Sequence, residues 1–96
     1  MPRPKIRRWI SFKPGVTYFK PRGIPLRYLK EVNLEGDELE ALRLADCQGL
    51  EQTKAAKKMK ISQSTLQRIL TSARQKVSQA LVEGKAIRVE EGKKLK

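Results

Sequence analysis

The chain has 96 residues, enough for one domain with a small core. Its 22 Lys/Arg against 10 Asp/Glu give a net charge of +12, which points to a polyanionic partner. A single cysteine excludes an intramolecular disulfide, the absence of histidine removes the usual general base and nitrogen metal ligand, and no apolar run reaches the ~20 residues of a membrane helix.

The charge is unevenly placed. Residues 1–30 carry nine Lys/Arg and no acid, and residues 31–51 carry seven acids against Arg43. Residues 52–89 then carry nine bases against Glu83. Basic surface is expected at the N-terminal segment and in the second half, with an acidic helix between. A lone Cys47 suits a reducing cytosol. The prolines of the basic N-terminus are incompatible with the amphipathic helix of a transit peptide, so the expected location is cytoplasmic.

Residues 1–30 hold all five prolines and all five aromatics, Trp9, Phe12, Tyr18, Phe19 and Tyr28. The runs WISF at 9–12 and VTYF at 16–19 are β-prone, and Pro14-Gly15 between them signals a turn. Trp9, Phe12, Tyr18 and Phe19 are expected in the core, which argues against their stacking on unpaired bases. Pro25 is suited to start a single helical turn with Leu26 and Leu29 on one side, and residues 32–34 read as a short strand. This basic segment is expected to pack on a unit spanning 31–90, a winged or strand-flanked helical domain with helices at about 37–47, 52–59 and 63–82. Residues 91–96 read as a flexible tail.

Gly36-Asp37 opens the first helix. Asp37 and Glu40 have the spacing of a capping box, Leu39, Leu42 and Ala45 form the expected buried stripe, and Gly49 is placed to end it. Cys47 reads as a small core residue. The cluster Glu35, Asp37, Glu38 and Glu40 reads as favourable charge at a helix start rather than a metal site, and no metal or cofactor is implied.

The stretch QTKAAKKMKISQSTLQRILT, 52–71, organises the rest. Ala55, Ala56 and Met59 share one helix face, the pattern breaks at Lys60-Ile61, and Ser62 offers a side-chain oxygen to cap a new helix. From there Leu66, Ile69, Leu70, Ala73, Val77, Ala80 and Leu81 fall within an arc of about 120°, a core-facing stripe. Two helices joined by so short a turn have the logic of a helix-turn-helix. Gly84 stops the long helix, and residues 86–89 read as a strand pairing with 32–34.

On that reading the first turns of the second helix meet base edges, through Gln63, Ser64, Thr65, Gln67 and Arg68. Gln52, Thr53, Lys54, Lys58, Lys60, Ser62, Thr71 and Arg74 are candidate phosphate contacts. Arg3, Lys5, Arg7 and Arg8 are candidates for an arm in the minor groove or along the backbone. The bland readings of these residues are a solvated polar face and a basic tail with only nonspecific attraction.

The residues also resemble known families. The stretch 37–81 resembles region 4 of bacterial sigma factors in its acidic first helix with Leu42-Arg43-Leu44, its Gly49-Leu50 link, and Ala73-Arg74-Gln75-Lys76 after the turn. The whole chain resembles the domain of unknown function 134 family, predicted DNA-binding proteins, through RPK at 3–5, VTYFKPRGIPL at 16–26, DELEALRLAD at 37–46 and GKAIRVE at 84–90. The resemblance implies a mainly α fold, a three-helix sigma-region-4-like helix-turn-helix domain with a few short N- and C-terminal β-strands. Two positions depart from the pattern. Lys60 stands where glycine is usual in the turn, and Glu51 stands where a Ser or Thr cap is usual.

The expected function is sequence-specific binding of double-stranded DNA as a transcriptional regulator, with a homodimer expected on general grounds and no membrane partner. The alternative is a module docking on RNA polymerase through the acidic helix 37–46, tested by charge reversal at Glu38 and Glu40. A third reading is a basic protein binding RNA or DNA without sequence preference. No constellation suggests an enzyme.

Overall fold

The computed structural model describes residues 15–90. In chain order its elements are β1 (Tyr18–Phe19), a 3-10 turn (Leu26–Tyr28), β2 (Glu31–Leu34), α1 (Gly36–Ala41), a π turn continuing it (Leu42–Cys47), α2 (Gln52–Met59), α3 (Gln63–Glu83) and β3 (Ala86–Val89). The fold is mainly helical with a few short strands. Residues 9–12, expected as a strand, and the arm residues Arg3, Lys5, Arg7 and Arg8 lie outside the described residues, as does the tail 91–96.

Apolar spacing builds two adjoining clusters. In the first, Ala41 and Leu44 pack with Ala55, Ala56 and Met59 of α2 and Leu66, Ile69 and Leu70 of α3. The alanines at 55 and 56 let the two helix axes approach closely. In the second, Ala73 of α3 meets Leu34 of β2 and Val89 of β3, with Val77 and Ile87 at the margin. Leu42 packs against both clusters and joins them.

The three-stranded sheet has the order β1-β3-β2. β3 runs parallel to β2, with Val32 opposite Ile87 and Leu34 opposite Val89, and antiparallel to β1. A parallel neighbour needs a long crossover, and here α1, α2 and α3 together supply it. The ladder is extended at both ends by Ala86 N–H to the Lys30 carbonyl at 2.9 Å and Glu90 N–H to the Leu34 carbonyl at 2.7 Å. The pairing of 86–89 with 32–34 therefore brings the two ends of the helical unit together.

Several expectations are corrected. The capping box at α1 is made by Glu35 and Glu38, not Asp37 and Glu40. Its helix begins one residue earlier than the sequence suggested, because Glu35 sits in extended conformation and its side chain accepts the Glu38 N–H. Leu39, Leu42 and Ala45 are only half-buried, while Ala41 and Leu44 are fully buried. The π turn at 42–47 shifts the residues after Leu42 around the axis, and Cys47 at its end is exposed rather than core. Leu81 is 76% exposed, because it lies at the edge of the apolar arc in the last turn of α3, beyond the packed core. Nor are Tyr18 and Phe19 core: Tyr18 is half-buried and Phe19 is 53% exposed, and the neighbouring Tyr28 (69%) and Leu26 are exposed as well. A two-residue β1 at the sheet edge is too short to carry those rings inward.

Glu38 and Glu40 are the principal polar residues in the interior. Glu38 accepts from Ser72 Oγ at 2.5 Å and Lys76 Nζ at 2.8 Å, both on α3, and from the Glu35 N–H at 2.8 Å. Arg43 donates to Glu40 through Nε at 3.1 Å and Nη2 at 2.9 Å. Burying charge is tolerated when it is paired and hydrogen-bonded, and both carboxylates meet that condition. The surface proposed for charge reversal is thus largely interior.

Candidate nucleic-acid interface

α2 and α3 are joined by residues 60–62, and each residue of the link has a defined conformation. Lys60 is left-handed at φ 59° and ψ 44°, a conformation an L-residue adopts at a cost of about 1–2 kcal/mol. Its N–H bonds the Lys57 carbonyl and the N–H of Ile61 bonds the Ala56 carbonyl, each at 3.1 Å. This pair of closures is a Schellman motif, which satisfies the last carbonyls of α2. Ile61 then packs against the first cluster. Ser62 caps α3, its Oγ accepting from the Thr65 N–H at 3.1 Å and donating to Thr65 Oγ1 at 2.9 Å.

The consequence is a fixed outward face on α3. With Leu66, Ile69, Leu70 and Ala73 buried, Gln63, Ser64, Gln67, Arg68 and Thr71 are exposed on the other side. Among the described residues, neither Gln67 nor Arg68 has a polar partner, so amide and guanidinium are both available to a ligand. Thr65 is half-buried and tied to the cap, and Ser62 spends its hydroxyl on the same cap. On α2, Thr53, Lys54 and Lys58 are exposed and Gln52 is half-buried. Glu51 caps α2 without a side-chain bond, as its poor capping chemistry suggests.

Arg74 differs from the other candidate phosphate contacts. Its Nε donates to Asp46 Oδ2 at 3.0 Å and its Nη2 to Oδ1 at 2.7 Å. These bonds hold the Asp46 carboxyl below its ordinary value. On the sheet side, Arg88 donates to Glu31 through Nε at 3.1 Å, and the Tyr18 hydroxyl donates to the same carboxylate at 2.7 Å. Glu31 is lowered by Arg88 first and Tyr18 second, while Tyr18 is raised chiefly by its bond to Glu31. Those three groups satisfy one another.

The family described as protein of unknown function DUF134 matches residues 1–96. The chain belongs to this family. It is similar to a UPF0251 protein of Caldanaerobacter subterraneus subsp. tengcongensis, 61% identical over 92 residues that cover 96% of this chain and 78% of that one. A UPF0251 protein of Moorella thermoacetica is 61% identical over 92 residues, covering 96% of this chain and 62% of that one. Another, of Desulforudis audaxviator, is 62% identical over 89 residues, covering 93% and 58%. The chain thus spans 58–78% of the length of these relatives. No solved structure matches it.

Two residues of this DUF134 chain were missed in the sequence. Lys57 is exposed on α2 between the candidates Lys54 and Lys58, and its charge alone was the available signal. Asp46 had no signal, because its partner lies 28 residues away. Among the described residues, no three Cys, Asp or Glu side chains come together as a metal site, and no helix is long and apolar enough to cross a membrane.

Proposed function

We propose that this chain is a sequence-specific double-stranded DNA-binding protein that regulates transcription, using α2 and α3 as a helix-turn-helix. The observation that carries the reading is the outward face of α3. A capped, core-anchored helix presents exposed Gln63, Ser64, Gln67 and Arg68 in its first two turns, directly after the turn. Gln pairs bidentately with adenine and Arg with guanine in the major groove. Exposed Lys54, Lys57 and Lys58 on the preceding helix supply the phosphate-facing charge, and the net charge of +12 supports a polyanionic ligand. The resemblance to sigma region 4 points the same way.

The rival reading, docking on RNA polymerase through the helix at 37–46, loses support because Glu38 and Glu40 are engaged inside the fold. The test is selection of bound duplexes from a random pool at about 150 mM salt, repeated with Gln67→Ala and Arg68→Ala. The expected result is an enriched motif that relaxes at defined positions in each variant, by about 1–3 kcal/mol of discrimination. Both side chains are exposed, so thermal stability should stay within about 0.5 kcal/mol. Binding without enrichment, vanishing as salt rises, overturns specificity in favour of general nucleic-acid binding.

A further inference from the structure

We infer that Asp46 is a positioning residue, one that holds the Arg74 guanidinium side-on so that its remaining edge faces a DNA phosphate. The inference rests on the DNA-binding reading above. Arginine has five N–H donors in a rigid plane, and Asp46 takes one from Nε and one from Nη2. Three N–H groups remain, and of these one on Nη1 and the second on Nη2 run parallel and form the fork that suits a phosphate bidentately. Arg74 and Asp46 side chains are 46% and 42% exposed, so the pair stands at the surface rather than inside the core. A structural ion pair so exposed contributes little to stability.

The backbone around Asp46 supports the same role. Asp46 sits in the π turn 42–47, and the Gln48 N–H reaches back five residues to the Arg43 carbonyl at 2.9 Å. Single π turns inside α-helices are frequent at functional sites. This one joins α1 to the Gly49 link and supplies the carboxylate that spans to α3. Arg74 lies eleven residues beyond Gln63 on α3, on the flank of the strip that carries Gln67. That flank is where a phosphate lies when the strip faces a groove.

The inference makes an unusual prediction of sign. Removing a negative charge near DNA ordinarily tightens binding, so electrostatics alone predicts that Asp46→Asn binds more strongly. Loss of a pre-oriented arginine predicts the opposite. Kd for the enriched duplex is measured across a salt series for the full chain, Asp46→Asn, Arg74→Ala, Arg74→Lys and Asp46→Asn/Arg74→Ala, with folding checked by circular dichroism. Asp46→Asn should weaken binding roughly three- to tenfold, and Arg74→Ala should weaken it and lower the salt slope by nearly one unit. Arg74→Lys should keep the slope but lose affinity, because lysine has no fork. The double variant should be no weaker than Arg74→Ala alone.

Tighter or unchanged binding by Asp46→Asn overturns the inference and leaves the DNA-binding reading standing, as do additive losses in the double variant. If no duplex binds above background and Arg68→Ala changes nothing, the DNA-binding reading itself fails and this inference with it.

Discussion

Glu38 joins the helix cap of α1 to the middle of α3. One carboxylate accepts from the Glu35 N–H, Ser72 and Lys76, and only 5% of the residue is exposed. Glu38→Ala leaves a hydroxyl and an ammonium without their acceptor. Lys76 is 30% exposed and turns part of its charge to water, so the loss should be about 2–3 kcal/mol, below that of a fully buried pair. Urea unfolding should show the midpoint falling with the slope unchanged. Glu38→Gln, which keeps the acceptor oxygen, should cost less. Glu38→Lys and Glu40→Lys should unfold the chain outright, so neither isolates a docking function. The sequence reading treated these acids as surface because only local spacing is visible along a chain. Ser72 and Lys76 lie 34 and 38 residues away, where no periodicity can reveal them. Asp46 has a pH consequence of its own. Its folded pKa is depressed by Arg74 below the ordinary 3.8. The stability it contributes is therefore present above that value and lost as pH falls through the lower folded value. At neutral pH, stability should not depend on this pair's titration; a melting series below pH 4 should lose a small increment that Asp46→Asn abolishes.

At the scale of elements, the link between α2 and α3 concentrates the strain of the fold. Lys60 is the only non-glycine residue with positive φ among those described. Lys60→Gly should stabilise the chain by about 0.5–1 kcal/mol, the relief of a left-handed L-residue less the entropy glycine gains when unfolded. For a domain of this size that is a rise in Tm of roughly 2–8 °C. The same variant removes a charge from the turn, so it should flatten the salt dependence of DNA binding by nearly one unit if Lys60 meets a phosphate. Stability and affinity then move in opposite directions, an outcome that a general loss of structure cannot produce. A β-branched Lys60→Val should lower Tm instead. This link was legible because Ser62, the apolar periods on either side and the broken pattern at Lys60 all act locally. The π turn was not, since its widening after Leu42 answers packing against two clusters at once and carries no residue signature. The same is true of the capping box, where Glu35 and Glu38 satisfy the spacing rule as well as Asp37 and Glu40, and only the backbone conformation decides between them.

At the scale of the molecule, the parallel pairing of β2 and β3 closes a crossover of three helices. Leu34 and Val89 sit opposite each other in register and share one buried cluster with Ala73 of α3, so the second cluster ties the closure to the helix that carries the candidate interface. Leu34→Ala should cost about 2–4 kcal/mol and Val89→Ala somewhat less, as transfer and cavity terms combine. Because the two side chains share one cluster, their effects should couple by about 0.5–2 kcal/mol in a double-mutant cycle measured by urea unfolding. If the effects simply add, the strands contribute separately and the closure is not cooperative. The sheet lies against Ala73 and Val77, whereas the exposed strip of Ser64, Gln67, Arg68 and Thr71 occupies the opposite side of α3. Moderate loosening of the sheet should therefore lower Tm while the affinity of the folded fraction for an enriched duplex stays within about twofold. A proportionate fall in affinity at a temperature where the variants remain fully folded would show instead that the sheet sets the orientation of α3.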